Sequence, residues 1–132
     1  MAITERTVHS RWAGGLRADV RAGGHDLVVD EPESVGGTNA GPQPTELLLA
    51  AIASCFTLAV AWSAGKRGIE LSDLDVAATG RYDGPRFTSF RVTVKAATPP
   101  GTDLDALVAA ARRVCYVTRT LEGSPGIEIV VE

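Results

Sequence analysis

A long apolar segment without charge constrains the fold of this chain more than any other feature of its sequence. No charged side chain occurs between Glu46 and Lys66, and apolar residues fall on every side of the helix that the segment would form. The run from Pro44 to Gly68 begins and ends with residues typical of helix termini. Because such a helix has no polar face, the sequence predicts that protein encloses it, with Cys55 near its middle.

A membrane-spanning helix is the alternative, since the uncharged run reaches the length that a bilayer requires. Many of its residues are alanine, and Ser54, Thr57 and Ser63 are interspersed among them. The sequence has no second such segment and no strongly basic flank. A helix in the core of a globular protein explains this pattern better, so we expect no membrane partner.

Length and charge narrow the class of protein. With 132 residues, the chain is expected to form one domain over residues 1–132. A net charge of −3 with interspersed signs offers no basic surface for nucleic acid. The first residues lack the apolar core of a signal peptide, so a cytoplasmic location is expected. In that compartment the two cysteines are more often reduced, catalytic or redox-sensing than a permanent cross-link.

The first third of the chain has the pattern of an antiparallel meander. Short strands are predicted at Glu5–Trp12, Leu16–Arg21 and His25–Asp30, separated by Gly-Gly turns. Proline and glycine then interrupt any regular element between Glu31 and Pro44. This part of the sequence therefore predicts a three-stranded sheet and a loop that leads to the apolar helix.

The remainder of the chain predicts a hairpin, a second helix and a final strand. The long strands are Ile69–Tyr82 and Phe87–Ala97, and the last strand is 127–131. The second helix is expected to begin with Thr102 as N-cap. Its apolar face has helical spacing and consists of Leu104, Leu107, Val108, Ala111, Val114 and Cys115. The element order predicts an α+β fold.

Both cysteines are predicted on core-facing sides of helices, 60 residues apart in sequence (115 − 55). Free cysteine often only fills space in a core, and whether the two can form a bridge is not readable from sequence. The residues alone therefore leave two interpretations open: thiols that only fill space in the core, and thiols that form a bridge. His9 and His25 have no ligand-like spacing to either cysteine, so no metal site is expected.

Two motifs carry a resemblance to a known family. The first consists of Gly36-Gly37 and Gly41-Pro42-Gln43-Pro44, followed by the segment from Thr45 to Cys55. The second is Cys115-Tyr116-Val117-Thr118-Arg119-Thr120-Leu121, similar to the pattern Cys-Pro-Val-Ser-x-Thr-Leu. From about Val8 onward the chain resembles the OsmC-like family, which includes the organic hydroperoxide resistance proteins.

The resemblance implies a fold and a chemistry. Two antiparallel sheets would wrap around two central helices, and an intertwined homodimer would complete the fold. The family's activity is thiol-dependent reduction of organic hydroperoxides in peroxide-stress defence. Cys55 matches the peroxidatic position and Cys115 the resolving position. No bound cofactor or metal is implied, and an external dithiol, of which lipoyl-type dithiols are one class, would reduce the resulting disulfide.

The resemblance also implies a cation beside the peroxidatic thiol, since burial alone disfavours a thiolate. Arg17 is the best match for the family's arginine and Arg21 is the runner-up. In the hydroperoxide resistance proteins, the family's glutamate lies at the position of Thr45 in this chain. In the broader OsmC-like family it lies one residue later, at the position of Glu46. Glu46 is too far along its own helix to touch Cys55. It either holds an arginine in the partner's site or stabilises the helix N-terminus.

An apolar pocket at the dimer interface would bind the substrate. Leu48, Phe56 and Trp62 are candidates to line it, although each is also a normal core residue.

The position of Glu46, one residue after that of the glutamate in the hydroperoxide resistance proteins, motivates an alternative function. The protein would then be a binding or redox-sensing module for a small apolar ligand, without efficient peroxidase turnover. A third reading is a structural dimer with inert thiols.

Overall fold

The computed structural model describes residues 2–132 and contains two small antiparallel sheets and three helices. These elements form an α+β fold, as predicted, with one helix more than expected. The chain divides into two compact units, the first ending at Leu48 and the second beginning at Leu49. Each unit is described by itself, and a single domain over the whole chain stays a prediction.

The first unit contains a three-stranded meander. Strands β1 (His9–Trp12), β2 (Ala18–Ala22) and β3 (His25–Val29) pair antiparallel in the order β1-β2-β3. The predicted first strand is therefore too long, because residues 2–8 pair with no other strand. Gly23 and Gly24 both have positive φ, at 56° and 81°, which explains the Gly-Gly turn between β2 and β3.

A buried carboxylate organises the loop after β3. Asp30 is 1% exposed and accepts hydrogen bonds from the backbone N–H groups of Glu31, Thr38 and Ala40. The Thr38 hydroxyl donates a further bond of 2.5 Å. This hydroxyl, followed by the backbone donors, outweighs burial and lowers the pKa of Asp30 to about 2. The loop therefore has a fixed shape although it contains only one short 3₁₀ turn, Glu33–Val35.

Two glycines of the first motif are required by close backbone approach. A Cβ atom at Gly37 would overlap the backbone of Glu31, and one at Gly41 would overlap the carbonyl of Val28. In both cases the obstacle is backbone, which cannot move aside as a flexible side chain can. The glycines thus allow the loop to fold back against the end of β3, where the Asp30 N–H donates to the Pro42 carbonyl.

Helix α1 (Pro44–Lys66) begins in the first unit and continues into the second. One side is buried and consists of Ile52, Phe56, Ala59, Val60, Ser63 and Ala64. The other side is uncovered in the single chain, where Leu58 is 69% and Trp62 56% exposed. The prediction of complete enclosure is therefore wrong for one chain taken alone.

Among the residues that the structure describes, α1 is the one helix long and apolar enough to cross a membrane, with a mean hydropathy of 2.0 over an 18-residue window. Length and composition are weak criteria, because the core helix of a globular protein meets them too. The packed side of α1 accounts for its apolar sequence as a core helix.

The second unit packs a hairpin against helices. Strands β4 (Asp73–Tyr82) and β5 (Phe87–Ala97) are antiparallel, and their apolar positions alternate with exposed ones. Apolar side chains of the hairpin pack on a buried cluster of helix residues, which consists of Phe56, Ala59, Val60, Ala64, Leu107, Ala111 and Cys115. This cluster is called the helix core below. Cys115 is one of its members, and Cys55 packs against it.

The second predicted helix is divided in two. Helix α2 is Leu104–Val114, and α3 is Tyr116–Glu122, which the sequence analysis missed. Cys115 lies between them with extended backbone, φ −79° and ψ 107°. The predicted continuous helical face through Cys115 is therefore wrong. The bend at this residue leaves Cys115 fully buried, whereas Val114, expected on the same face, is 40% exposed.

Two further predictions are wrong: the N-cap of α2 and the strand at residues 127–131. The N-cap of α2 is Asp103, whose carboxylate accepts from the Ala106 N–H at 3.0 Å, while Thr102 donates to the Pro99 carbonyl instead. Within residues 2–132, the segment 127–131 forms no strand. Its apolar side chains, Ile127, Ile129, Val130 and Val131, are all at least 70% exposed. A strand cannot form there without a partner edge to receive its hydrogen bonds.

The Asp30 cluster predicts how stability responds to acid. The folded-state pKa of about 2 lies below the ordinary value of 3.8, so the stabilisation is complete above about pH 4. It is lost as pH falls towards 2, because Asp30 must then be protonated in the folded state. We expect Asp30→Asn to lower stability at pH 7 and to reduce the pH dependence below pH 4. Urea unfolding at a series of pH values measures both effects.

Asp26→Asn is the matched control, because the Asp26 side chain is 80% exposed and forms only a surface ion pair with Arg21. An Asp30→Asn variant that differs from wild type by the same amount at pH 2.5 and pH 7 would contradict this account of the loop.

Candidate functional site

The two cysteine side chains meet in the second unit. Cys55 lies on α1 and packs against the helix core, of which Cys115 is a member. The thiols are both free, and the Cys55 side chain is close enough to the Cys115 sulfur to lower the pKa of Cys115. The division of the second helix places Cys115 here, since its extended backbone turns the side chain inwards. Two residues distant in sequence thus form one dithiol centre.

The two thiols differ in their access to solvent. Cys115 has no exposed surface, whereas Cys55 is partly exposed. A dissolved molecule therefore has a route to Cys55 but none to Cys115 without a change in structure. This asymmetry determines which sulfur can be approached first.

Hydrogen bonds stabilise the thiolate of Cys115. Burial raises the pKa of Cys115, but the Thr118 side chain, the backbone N–H groups of Thr118 and Val117 and the Cys55 side chain together lower it below its ordinary value. In the thiol form Cys115 makes no capping bond to α3, and the Thr118 hydroxyl donates to the Cys115 carbonyl at 3.4 Å. A hydroxyl can rotate, so the same donor is available to the sulfur when it is charged.

A mainly apolar cavity of about 580 Å³ lies in the second unit, and its lining includes Phe56 and Thr118 but neither cysteine. Phe56 lines it, as the sequence analysis expected of a substrate pocket, together with Phe87 and Phe90 of β5. Thr118 contributes a polar atom to the wall, and the ion pair between Arg112 and Glu122, 2.7 Å long, lies at the rim. The cavity has the size and lining of a site for a small apolar molecule.

The other two pocket candidates lie elsewhere. Trp62 is on the uncovered side of α1 and does not line this cavity; the Lys66 ammonium lies 5.4 Å from its ring centroid. Leu48 is the last residue of the first unit and is partly buried. Of the three, Phe56 alone belongs to the cavity of the second unit.

The candidate arginines lie in the first unit, on the charged face of the meander. The Arg17 Nε is 3.0 Å from an Asp19 oxygen, and an Arg21 nitrogen is 2.8 Å from an Asp26 oxygen. The Arg17 side chain is 40% exposed and that of Arg21 is 63% exposed. Both cations are therefore held by carboxylates within their own sheet, and Arg17 is the more sheltered.

Glu46 caps its own helix. Its carboxylate accepts a hydrogen bond of 3.0 Å from the backbone N–H of Gln43, the residue before the helix. An acidic residue at the third helical position that bonds back to the N-cap N–H forms half of a capping box, and its charge also favours the positive end of the helix. This contact is the helix-stabilising role that the sequence left open as an alternative.

Thr118 is the residue of the site that the sequence analysis did not single out. Its position three residues after Cys115 is the spacing at which an N-cap side chain and the first helical turn interact. That signal was obscured because Cys115 was expected inside a continuous helix. Among residues 2–132, no group of three His, Cys, Asp or Glu side chains could hold a metal ion.

Comparison with known proteins gave three relevant results. Residues 37–130 match the family described as OsmC-like protein. No curated protein matches the chain. Solved structures resemble it over most of their length.

Three of these structures illustrate the likeness. An OsmC-like protein from Mycoplasma pneumoniae is 15% identical, with a TM-score of 0.76 over 91% of this chain and 89% of that one. An organic hydroperoxide resistance protein from Legionella pneumophila is 22% identical, with a TM-score of 0.66 and 93% coverage of both chains. One from Elizabethkingia anophelis is 23% identical, with a TM-score of 0.64 and 91% coverage of both.

At these identities the structural likeness establishes the fold. The family match spans both recognised motifs except Gly36, and it includes both cysteines. The chain belongs to the OsmC-like protein family.

Proposed function

We propose that this protein reduces organic hydroperoxides to alcohols, with Cys55 as the peroxidatic and Cys115 as the resolving cysteine. The observation that carries the proposal is the dithiol centre, in which a partly exposed thiol contacts a buried one inside an apolar core. Family membership and relatives named as organic hydroperoxide resistance proteins support the reaction class.

The reaction proceeds in three balanced steps. The Cys55 thiolate attacks the distal peroxide oxygen, the O–O bond breaks, and the alkoxide leaves as the alcohol after taking up a proton. The Cys115 thiolate then attacks the sulfur of the sulfenic acid, which forms the disulfide and expels hydroxide, and the hydroxide takes up a proton to become water. An external dithiol returns two electrons and two protons to the cysteines. We propose a lipoyl-type dithiol for this step, in the cytoplasm, where thiols are kept reduced.

The lowered pKa of Cys115 supports its resolving role. Because the thiolate, not the thiol, is the nucleophile, a larger charged fraction at neutral pH speeds its attack on the sulfenic sulfur. Its full burial also protects it from direct oxidation by dissolved peroxide. Both properties suit the second nucleophile of the sequence rather than the first.

Cys55 requires a cation to become the first nucleophile. Cys55 packs against the apolar side chains of the helix core, where burial alone disfavours the thiolate. We propose that Arg17 supplies the positive charge and that Arg21 is the alternative. A guanidinium next to the sulfur lowers the pKa of a thiol by stabilising the charged form.

The apolar cavity is the proposed site for the organic part of the peroxide. Its aromatic lining and volume suit an alkyl or aryl group, and Phe56 directly follows Cys55 on α1. Binding the organic group there would favour alkyl hydroperoxides over hydrogen peroxide.

A homodimer is the proposed assembly. The uncovered stripe of α1 contains Leu58 and Trp62, one helical turn apart, and the apolar segment 127–131 has no strand partner. Apolar surfaces of this kind on an otherwise charged chain are typical of an interface. A second copy of the chain would cover the stripe and provide a sheet edge.

The alternative function, binding or redox sensing without efficient turnover, has one observation in its favour. Glu46 is engaged in capping its own helix, so the carboxylate is not free to orient an arginine in this conformation. A protein of this kind would keep the cavity and the dithiol centre but react slowly with peroxides.

Peroxide consumption by variants decides between these functions. We expect Cys55→Ser to lower the rate of alkyl hydroperoxide reduction to the uncatalysed level, because it removes the first nucleophile. Cys115→Ser should allow a single turnover that stops at the sulfenic acid. Stopped-flow measurement on the reduced protein gives both rates, and Ser54→Ala is the control, since Ser54 is adjacent but exposed.

If Cys55→Ser consumes peroxide as fast as wild type, the peroxidase mechanism is wrong. Wild-type turnover no faster than that of a free thiol would favour the binding module. In the same assay, Arg17→Ala should slow the first step at least roughly tenfold and Arg21→Ala much less. The opposite order would assign the role to Arg21.

Variants at Glu46 separate helix capping from catalysis. We expect Glu46→Ala to lower the free energy of unfolding by roughly 0.5–1 kcal/mol, through loss of the cap and the favourable charge. Glu46→Gln should retain most of the stability, because glutamine also accepts at this position. Peroxide reduction by Glu46→Gln should remain near wild type; a loss of tenfold or more would show that the charge acts in catalysis.

The assembly is tested by the mass in solution. We expect sedimentation equilibrium to give twice the chain mass of 13.8 kDa. Trp62→Glu should shift the mass towards one chain, since a charge within an apolar interface is costly. Ile3→Glu is the control, because Ile3 is 97% exposed and outside the stripe. A monomeric wild type at micromolar concentration would overturn the proposal.

A further inference from the structure

The disulfide proposed above has two sulfurs, and a reducing thiol must attack one and expel the other. Attack requires access along the line of the S–S bond, and the expelled sulfur leaves faster when its thiolate is more stable. These two requirements concern different atoms.

Access favours Cys55 as the sulfur that is attacked. Cys55 is partly exposed, whereas the helix core encloses Cys115 completely. An external thiol that attacked Cys115 would have to displace side chains of the helix core, where Phe56, Val60 and Leu107 are at most 5% exposed. Approach to Cys55 needs no such entry.

Leaving-group stability favours Cys115 as the sulfur that is expelled. Burial raises the pKa of Cys115, while the Thr118 side chain and the backbone N–H groups of Thr118 and Val117 lower it; the Cys55 thiol also lowers it in the dithiol, but the Cys55 sulfur carries no proton once it is part of a disulfide. Val117 and Thr118 belong to the first turn of α3, which directly follows Cys115. Access and leaving-group stability thus point to the same direction of cleavage.

We propose that an external dithiol attacks Cys55 of the Cys55–Cys115 disulfide and expels Cys115, and that Thr118 is the positioning residue that holds the leaving sulfur. This inference rests on the proposed redox function of the dithiol centre. It assigns a direction to the reductive step and a role to a residue outside the two thiols.

The step balances with the dithiol as the reductant. One thiolate of the dithiol forms a bond to the Cys55 sulfur while the Cys55–Cys115 bond breaks, and the electron pair goes to the Cys115 sulfur. The second thiolate of the dithiol attacks its own sulfur in this mixed disulfide and releases Cys55. Two protons from the dithiol end on the two cysteines, and the reductant leaves as a cyclic disulfide.

Thr118 is well placed for this role. It is partly buried, it lines the apolar cavity, and its hydroxyl already contacts the Cys115 backbone. Since water has little access to the enclosed sulfur, one hydroxyl donor replaces hydration that an exposed thiolate would receive. Valine has nearly the same shape without the hydroxyl, and serine keeps the hydroxyl, so the site allows a matched pair of variants.

The direction is tested without peroxide. Diamide oxidises the reduced protein, and a mass loss of two hydrogens identifies the internal disulfide. Glutathione, a monothiol probe, then opens it, acid stops the reaction, and N-ethylmaleimide labels the free thiol before peptide mapping. We expect glutathione on Cys55 and the label on Cys115 in at least a tenfold excess over the reverse.

Glutathione mainly on Cys115, or equally on both cysteines, would overturn the direction, as would failure of diamide to form the bridge. The proposed peroxidase function fails independently of this test. A protein that shows the expected direction but does not consume alkyl hydroperoxides would keep this inference and lose the peroxidase.

The Thr118 variants test the positioning role. We expect Thr118→Val to slow the opening of the diamide-formed disulfide by glutathione about three- to tenfold, given the strength of a hydrogen bond to a charged group. Thr118→Ser should react within about twofold of wild type. Equal rates for Thr118→Val and wild type, or a serine variant as slow as the valine variant, would remove Thr118 from the mechanism.

Discussion

The contact between Cys55 and Cys115 is the constraint on which the arrangement of the second unit depends. It requires an apolar helix α1, because Cys55 must reach the core. It also requires the single extended residue, Cys115, that separates α2 from α3. The hairpin β4–β5 then covers the helices with the alternate apolar side chains of its strands. The result is a pair of thiols enclosed by apolar side chains of the second unit.

Periodicity and turn residues predicted most elements of the fold, because those signals are local. The hairpin strand β5 was predicted with the bounds that the structure has, and the Gly-Gly turns lie where expected. The division at Cys115 was missed because Leu104, Leu107, Val108 and Ala111 continue in helical spacing up to that residue, and spacing does not report a single extended residue. Whether the segment 127–131 becomes a strand depends on a partner edge, which lies outside local sequence.

The candidate site was predicted in part. The two motifs indicated Cys55 and Cys115, but the difference in their exposure depends on packing and could not be read from the residues. Glu46 shows a similar limit. Its distance from Cys55 along one helix follows from the rise per residue, whereas its bond to the Gln43 N–H depends on the course of the loop before the helix.

The exposed segment near the end of the chain has a consequence for behaviour in concentrated solution. Isoleucine and valine at four of the positions 127–131 give it a strong tendency to form cross-strand ladders with any open sheet edge, including unrelated ones. Glu128 lies among these residues and Glu132 directly follows them, so like charges would face each other if identical segments stacked in register. The two carboxylates would therefore raise the free energy of such stacks through like-charge repulsion.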